Sequence, residues 1–371
     1  MRPQLKSWFR DIRILENGRP VWIYGRGRKH PEYLGPGTYD RLARLFIEEG
    51  VEEGRNPKKQ AQAQQIQVGQ AKERQKGSVS PSNNRQVKQP WQIRDHRFEW
   101  GSRTYLMGVL NVTPDSFSDG GEFNTVETAL AQAKKLVDAQ MDILDIGGQS
   151  TRPGSQPTTL EEECDRVIPV IRAIRSDRYD WLRDIPISVD TTRAEVARQA
   201  LEAGADIVND ISAGTYEPDI FAVASEANAP IMIMHLRGTP ETMQQMTDYD
   251  DLMGEIVTFL AQQADKAVAA GVDPAKIVID PGIGFAKTVA QNLTILRELA
   301  VLEKMGCPIL VGTSRKSFIG KLLNQPEAQR RVWGTAATLD CAIAHGADIV
   351  RVHDGAEMRD VCRMADALWR G

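Results

Sequence analysis

PISVDTTRAEVARQALEAGADIVND, residues 186–210, contains one complete repeat of the fold and the start of the next. Pro186–Val189 is a short β-rich run. Thr192 and Glu195 then stand at the spacing of a helix-capping box, and an amphipathic helical pattern follows. Gly204 falls where a helix ends in a left-handed residue, and Asp206–Val208 begins a second strand. The same text recurs on both sides, with strand candidates at Thr104–Leu110, Asp142–Ile146, Pro230–Met234, Ile277–Ile279, Pro308–Val311 and Ile349–Val352. Asn124 with Glu127 and Thr159 with Glu162 repeat the capping spacing, and Gly271, Gly306 and Gly346 repeat the stop. Eight βα units with parallel pairing and right-handed crossovers close naturally into a (β/α)8 TIM barrel of class α/β. An open doubly wound sheet is the alternative, but its first turn calls for a GxGxxG that is missing here. Arg94–Gly101 reads as a hairpin plugging the barrel bottom.

The chain has 371 residues, so one barrel leaves about a hundred residues over. Hydrophobic residues make up 41% and charged residues 26% of the chain, an ordinary globular composition. No run approaches the length of a membrane span. The net charge of −4 argues against nucleic acid as a partner, so an anionic substrate needs local cations. Cys164, Cys307, Cys341 and Cys362 are far apart and form no metal or redox motif. With no secretory leader, they suggest a cytoplasmic compartment, or an organelle in a eukaryotic host.

The sequence divides at about residues 50 and 90. Residues 1–50 read as a small accessory piece, with a hairpin around Asn17-Gly18 and a helical pattern over Tyr39–Glu49. Residues 51–90 are rich in Gln, Lys and Arg and poor in large apolar residues, the composition of a flexible linker. Residues 91–371 carry the barrel pattern.

Barrel active sites lie at the C-terminal ends of the strands. The residues there are Asn111, Asp145, Asp190, Asn209 and Asp210, His235, Asp280, then Ser314, Arg315 and Lys316, and finally Arg351 and His353. Any one of these is commonly a cap or a turn residue. A full polar ring is unnecessary for packing alone. Asp190, Asn209 and Asp280, with Lys316, suit the donor and acceptor edges of a flat heterocycle. Asn111, Arg351 and His353 suit a phosphate or pyrophosphate, and the Asn111 amide oxygen can also reach Mg²⁺. Arg152 is a further anion clamp. The loops NVTPDSFSDGG (111–121) and GGQSTRPGS (147–155) exceed the usual length of βα connections and read as substrate-covering loops.

Those two loops, with SVDT (188–191), VND (208–210), DPGIGFAK (280–287), GTSRKSFIG (312–320) and RVHD (351–354), resemble the dihydropteroate synthase family over about residues 95–371. The resemblance implies a barrel enzyme and a homodimer. It implies a transferase of folate biosynthesis that joins para-aminobenzoate to 6-hydroxymethyl-7,8-dihydropterin pyrophosphate, with sulfonamides competing for the aminobenzoate side. By resemblance, Asp190, Asn209, Asp280 and Lys316 bind the pterin, while Asn111, Arg351 and His353 serve pyrophosphate and Mg²⁺. Thr151, Arg152, Pro153, Phe117 and Ser317 face the aminobenzoate, Phe285 lies beside both pockets, and Asp115 and Asp119 act on loop closure. The implied chemistry is an SN1-like substitution at the pterin methylene. Asp190, Asp280, Lys316, Arg351 and His353 carry it, without a covalent enzyme intermediate.

Gln149 stands where many family members have Glu, and Thr313 is also a departure; neither removes a proposed ligand. The stretch before residue 91 is too short for the pyrophosphokinase domain that some relatives carry. A methyltetrahydrofolate-dependent methyltransferase shares the barrel, but it needs neither the first loop nor the Arg351/His353 anion site. A non-catalytic pterin-binding barrel does not need the intact rim.

Overall fold

The computed structural model describes residues 88–113, 122–149, 158–176, 178 and 180–371. The chain divides into two units, Met1–Ser82 and Asn83–Gly371, and the described residues belong to the second. The expected hairpin, helix and linker before Lys88 lie outside the described residues, as do Asp115, Phe117, Asp119, Thr151, Arg152 and Pro153.

The strands are β1 (Trp91–Ile93), β2 (His96–Phe98), β3 (Tyr105–Asn111), β4 (Ile143–Gly147), β5 (Ile187–Asp190), β6 (Ile207–Asp210), β7 (Ile231–Met234), β8 (Ile277–Asp280), β9 (Leu310–Val311) and β10 (Ile349–Val352). Between and after them run α1 (Glu122–Asp138), α2 (Leu160–Arg175), α3 (Asp180–Arg183), α4 (Ala194–Glu202), α5 (Ile220–Glu226), α6 (Leu252–Ala269), α7 (Val289–Arg297), α8 (Ser317–Leu323), α9 (Val332–Ala344) and α10 (Gly355–Trp369). Strands β3 to β10 form one parallel sheet in the order β8-β7-β6-β5-β4-β3-β10-β9. A parallel bridge from Ile279 to Ile309 joins its two ends and closes the barrel. The eight barrel strands expected from sequence are all present.

Alternation along each strand sorts side chains between two cores. One set points outward against the helices, as Leu144, Val189, Val208 and Ile279 do. The inward set fills the lower barrel with Tyr105, Met107, Ile143, Ile207, Met232, Val278, Leu310 and Ile349. The β1–β2 hairpin seals that end with Trp91, Ile93 and Phe98. Trp91 and Trp100 meet edge-on at 5.0 Å, and Phe98 lies 4.8 Å from Tyr105. Each fully buried side chain of this size contributes roughly 1.5–3 kcal/mol. The plug begins at Trp91, three residues before the expected Arg94, because Arg94-Asp95 is its turn, with Arg94 at φ +50°. Lys88 pairs with Asp348 at 2.5 Å, and Trp100 donates to the Gln89 carbonyl at 2.8 Å, so these last residues of the expected linker pack on the barrel unit.

The Thr159–Glu162 capping box forms at α2. The Thr192–Glu195 box does not, and Asn124 lies inside a helix and not at its start. At α4 the cap position is Arg193, with no side-chain cap, and Glu217 instead accepts from the Ala194 N–H at 2.8 Å. Helix α1 begins at Glu122, upstream of Asn124. Gly204, Gly271, Gly306 and Gly346 all adopt the expected positive φ. Among the described residues no helix is long and apolar enough to cross a membrane.

Candidate active site

Further along five of the inward-facing rows the lining is polar. Asp145 on β4, Asp190 on β5, Asn209 on β6, Asp280 on β8 and Arg351 on β10 stand above the lower core. Arg351 organises the first group. Its Nε donates to Asp145 Oδ2 at 2.6 Å and its Nη2 to Asp190 Oδ2 at 2.7 Å. Asn209 Nδ2 donates to Asp145 at 3.2 Å. Gly147 gives Asp190 its space, since a Cβ there would lie 3.3 Å from the Asp190 Cβ. Asp190 is buried, and burial pushes its carboxyl up to about 7; Asp145 adds to this and Arg351 opposes it. Burial works against the Arg351 charge, but Asp145 and Asp190 outweigh it and hold the guanidinium firmly protonated.

The second group surrounds the turn after β8. Asp280 accepts from the Gly282 N–H at 2.7 Å. Burial raises its carboxyl above the usual range, while Lys316, the Gly282 N–H, Lys287 and Arg351 oppose the rise. Gly282 has φ +72°, and a Cβ there would sit 2.0 Å from the His235 carbonyl oxygen. The turn therefore requires glycine. Lys316, at the start of α8, donates to the Ile283 carbonyl and lies 4.7 Å above the centre of the Phe285 ring. Burial brings the Lys316 amine down to about 8, with Asp280 holding it up. His353, just beyond β10, places Nδ1 3.0 Å from Ser314 Oγ, and the same hydroxyl accepts from the His353 N–H at 3.1 Å. Ser317 is exposed at the rim, and Asn111 is half-buried at the end of β3.

The structure departs from the expected ring in several places. Arg351 does not stand apart with the anion group; it lies against Asp190, so one guanidinium serves both halves. Asp210 turns away and accepts from the N–H and Oγ of Ser212, at 2.8 and 2.7 Å, and from the Gly214 N–H. Arg315 pairs with Asp354, and His235 faces Lys287. Thr313 is fully buried and accepts from Thr338 Oγ1 at 2.9 Å, so this departure is part of the packing. Asp145 is the functional residue that sequence reading left out of the binding set. The only signal for it was its place in the row of strand-end carboxylates.

Among the described residues no group of three or more His, Cys, Asp or Glu side chains is arranged around a metal position. Asn111 offers one amide oxygen. A single oxygen donor suits a hydrated Mg²⁺ shared with substrate phosphates, and it does not suit a protein cage.

Residues 107–353 match the family model described as pterin binding enzyme. Dihydropteroate synthase of Synechocystis sp. is 59% identical over 281 residues, covering 76% of this chain and 96% of that protein. The solved dihydropteroate synthase of Yersinia pestis in complex with a sulfonamide drug superposes with a TM-score of 0.69 at 40% identity, over 76% of this chain and 99% of the other. That of Xanthomonas albilineans, solved with 4-aminobenzoic acid, gives 0.68 at 39% identity, over 75% and 97%.

Proposed function

Because the chain belongs to the dihydropteroate synthases of the pterin-binding enzyme family, we propose that it joins para-aminobenzoate to 6-hydroxymethyl-7,8-dihydropterin pyrophosphate, giving 7,8-dihydropteroate and pyrophosphate. The observation that carries this reading is the Asp145–Arg351–Asp190 ion triad, with Asp280 and Lys316 close enough to act on it and on each other. It offers carboxylates, an amide and an ammonium group to the edges of a flat heterocycle. It also keeps guanidinium N–H groups for an anion. The match spans every proposed site residue from Asn111 to His353.

In this reading Asp190, Asn209, Asp280 and Lys316 hold the pterin. The bond from the pterin methylene to the pyrophosphate oxygen breaks first, and its electron pair leaves with pyrophosphate. Arg351 and His353 bind the departing charge, and the ionised Asp280 favours the positive charge that spreads into the ring. The arylamine nitrogen then bonds to the methylene and loses its proton to solvent. Thr151, Arg152, Pro153, Phe117, Phe285 and Ser317 take the aminobenzoate side, where sulfonamides compete. Asp115 and Asp119 belong to the covering loop. Asn111 would hold Mg²⁺, which would supply charge neutralisation on the pyrophosphate. The compartment reads as cytoplasmic, which the four free cysteines support.

The direct test supplies the full chain with both substrates and Mg²⁺ and follows pyrophosphate release. Lys316→Ala is expected to slow turnover by about 10²-fold or more. A wild-type chain that releases no pyrophosphate, or a variant as fast as wild type, refutes the assignment.

We also read the enzyme as a homodimer through α8, α9 and α10. Leu322, Leu323, Trp333, Met364, Leu368 and Trp369 are all exposed on these three helices, and Trp333 is 80% exposed. Large apolar side chains exposed together on neighbouring helices favour association. The expected result is a dimer in sedimentation for wild type and a monomer for Trp333→Glu with Leu368→Glu. A monomeric wild type rejects it.

A further inference from the structure

Behind the Asp280 turn lies a buried cluster to which the mechanism above gives no task. Lys287 is 3% exposed and has no carboxylate in ion-pair contact among the described residues. Its Nζ lies 3.0 Å from His235 Nδ1 and donates to the Phe285 carbonyl at 2.9 Å. His235 is 2% exposed at the end of β7, with its ring edge-on to Phe259 at 5.0 Å. Burial and the neighbouring Lys287 push this imidazole down to about 2, so it stays a neutral acceptor. Burial likewise drives the Lys287 amine well below the ordinary lysine range, with Asp280 opposing.

A buried amine is a costly way to fill space, and an apolar side chain of similar length packs there at no such cost. What lysine adds is donors. They reach a turn that no regular ladder holds, in which Gly282, Gly284 and Ala286 all have positive φ. Asn292 Oδ1 accepts from the Gly284 N–H at 2.6 Å, and Tyr249 donates to the Ala286 carbonyl at 3.0 Å, so the turn is tied at several points. Lys287 ties it to β7. From the Phe285 carbonyl the chain of contacts runs on to the Phe285 ring, then to Lys316 at 4.7 Å, and from Lys316 electrostatically to Asp280.

We infer that Lys287 is a positioning residue for recognition of the heterocycle: it clips the Gly282–Lys287 turn to His235 and so fixes Phe285, Lys316 and Asp280 relative to one another. The inference rests on the pterin reading given above. It predicts a selective defect, because Asn111 on β3, Arg351 on β10 and His353 just after it are held by other contacts than this clip.

The full chain is titrated calorimetrically with 6-hydroxymethylpterin and, separately, with inorganic pyrophosphate and Mg²⁺. Lys287→Met keeps the length and removes the donors. It is expected to weaken 6-hydroxymethylpterin binding about tenfold or more and to raise the KM for the pterin substrate to match. Pyrophosphate affinity should stay within about twofold. Lys287→Gln, whose amide can donate to both acceptors, should recover most of the loss, and His235→Phe should weaken pterin binding in the same direction. Unchanged pterin affinity in Lys287→Met overturns the inference. So does an equal loss for pyrophosphate, or a Gln variant no better than Met. If Lys287→Met does not fold, unchanged pterin affinity in His235→Phe overturns it. A wild-type chain that binds no 6-hydroxymethylpterin refutes the functional reading and this inference together, whereas a normal wild type with unaffected variants refutes this inference alone.

Discussion

Arg351→Met is expected to abolish measurable turnover and to destabilise the fold in a pH-dependent way. Among the described residues the guanidinium is the one cation in direct contact with Asp145, which is fully buried, and with Asp190, which is 8% exposed. Removing it leaves two desolvated carboxylates without their partner, a loss of about 3–5 kcal/mol near neutral pH. Turnover should fall by at least about 10³-fold, because the leaving anion loses its main donor and the Asp190 carboxylate its anchor. The pH dependence has a definite sign. Asp190 already titrates at about 7 in the folded protein, well above the roughly 3.9 of an unfolded aspartate. Between these values the folded state holds more protons than the unfolded state, so this residue's contribution makes stability fall as pH rises. Without Arg351 the folded Asp190 carboxyl should titrate higher still. The variant's deficit should therefore be large at pH 8 and shrink towards pH 5. Denaturant unfolding of both proteins at the two pH values checks this. Equal deficits at both would mean that unpaired carboxylates are not the cause.

Asp280→Asn is expected to separate activity from folding. Asparagine keeps an oxygen for the Gly282 N–H, now held at 2.7 Å. It also removes a charge that burial disfavours. Stability should stay within about 1 kcal/mol of wild type. Activity should fall by about 10²–10³-fold, since the negative charge facing the developing cation is gone. The wild-type carboxyl titrates above the usual range, so protonation on the acid side should produce an activity limb that the variant lacks. Single-turnover pyrophosphate release across pH, alongside thermal unfolding, measures both. A variant with wild-type rates would remove Asp280 from the mechanism.

The barrel was legible because its cause is periodic. Parallel strands buried on both faces read as short apolar runs, and the helices between them carry their own stops. The polar ring was legible because strand ends are where a barrel displays chemistry. Which ring members turn inward was not legible. Asp210 and Asp190 look alike in sequence, yet Asp210 is captured by the N–H groups of its own loop, whereas Asp190 meets a guanidinium 161 residues away. Asp145 became central through Arg351, 206 residues further along the chain. Local spacing carries no trace of such a pairing. The failed cap at Thr192 has the same origin, because Glu217 reaches the helix start from another loop.

The aromatic plug of Trp91, Phe98, Trp100 and Tyr105 packs beneath the filled lower core, so the described barrel has no passage through its bottom. Both substrates and both products have to use the same mouth. Traffic is thereby confined to the strand-end face, where Asp145, Asp190, Asp280 and Arg351 stand.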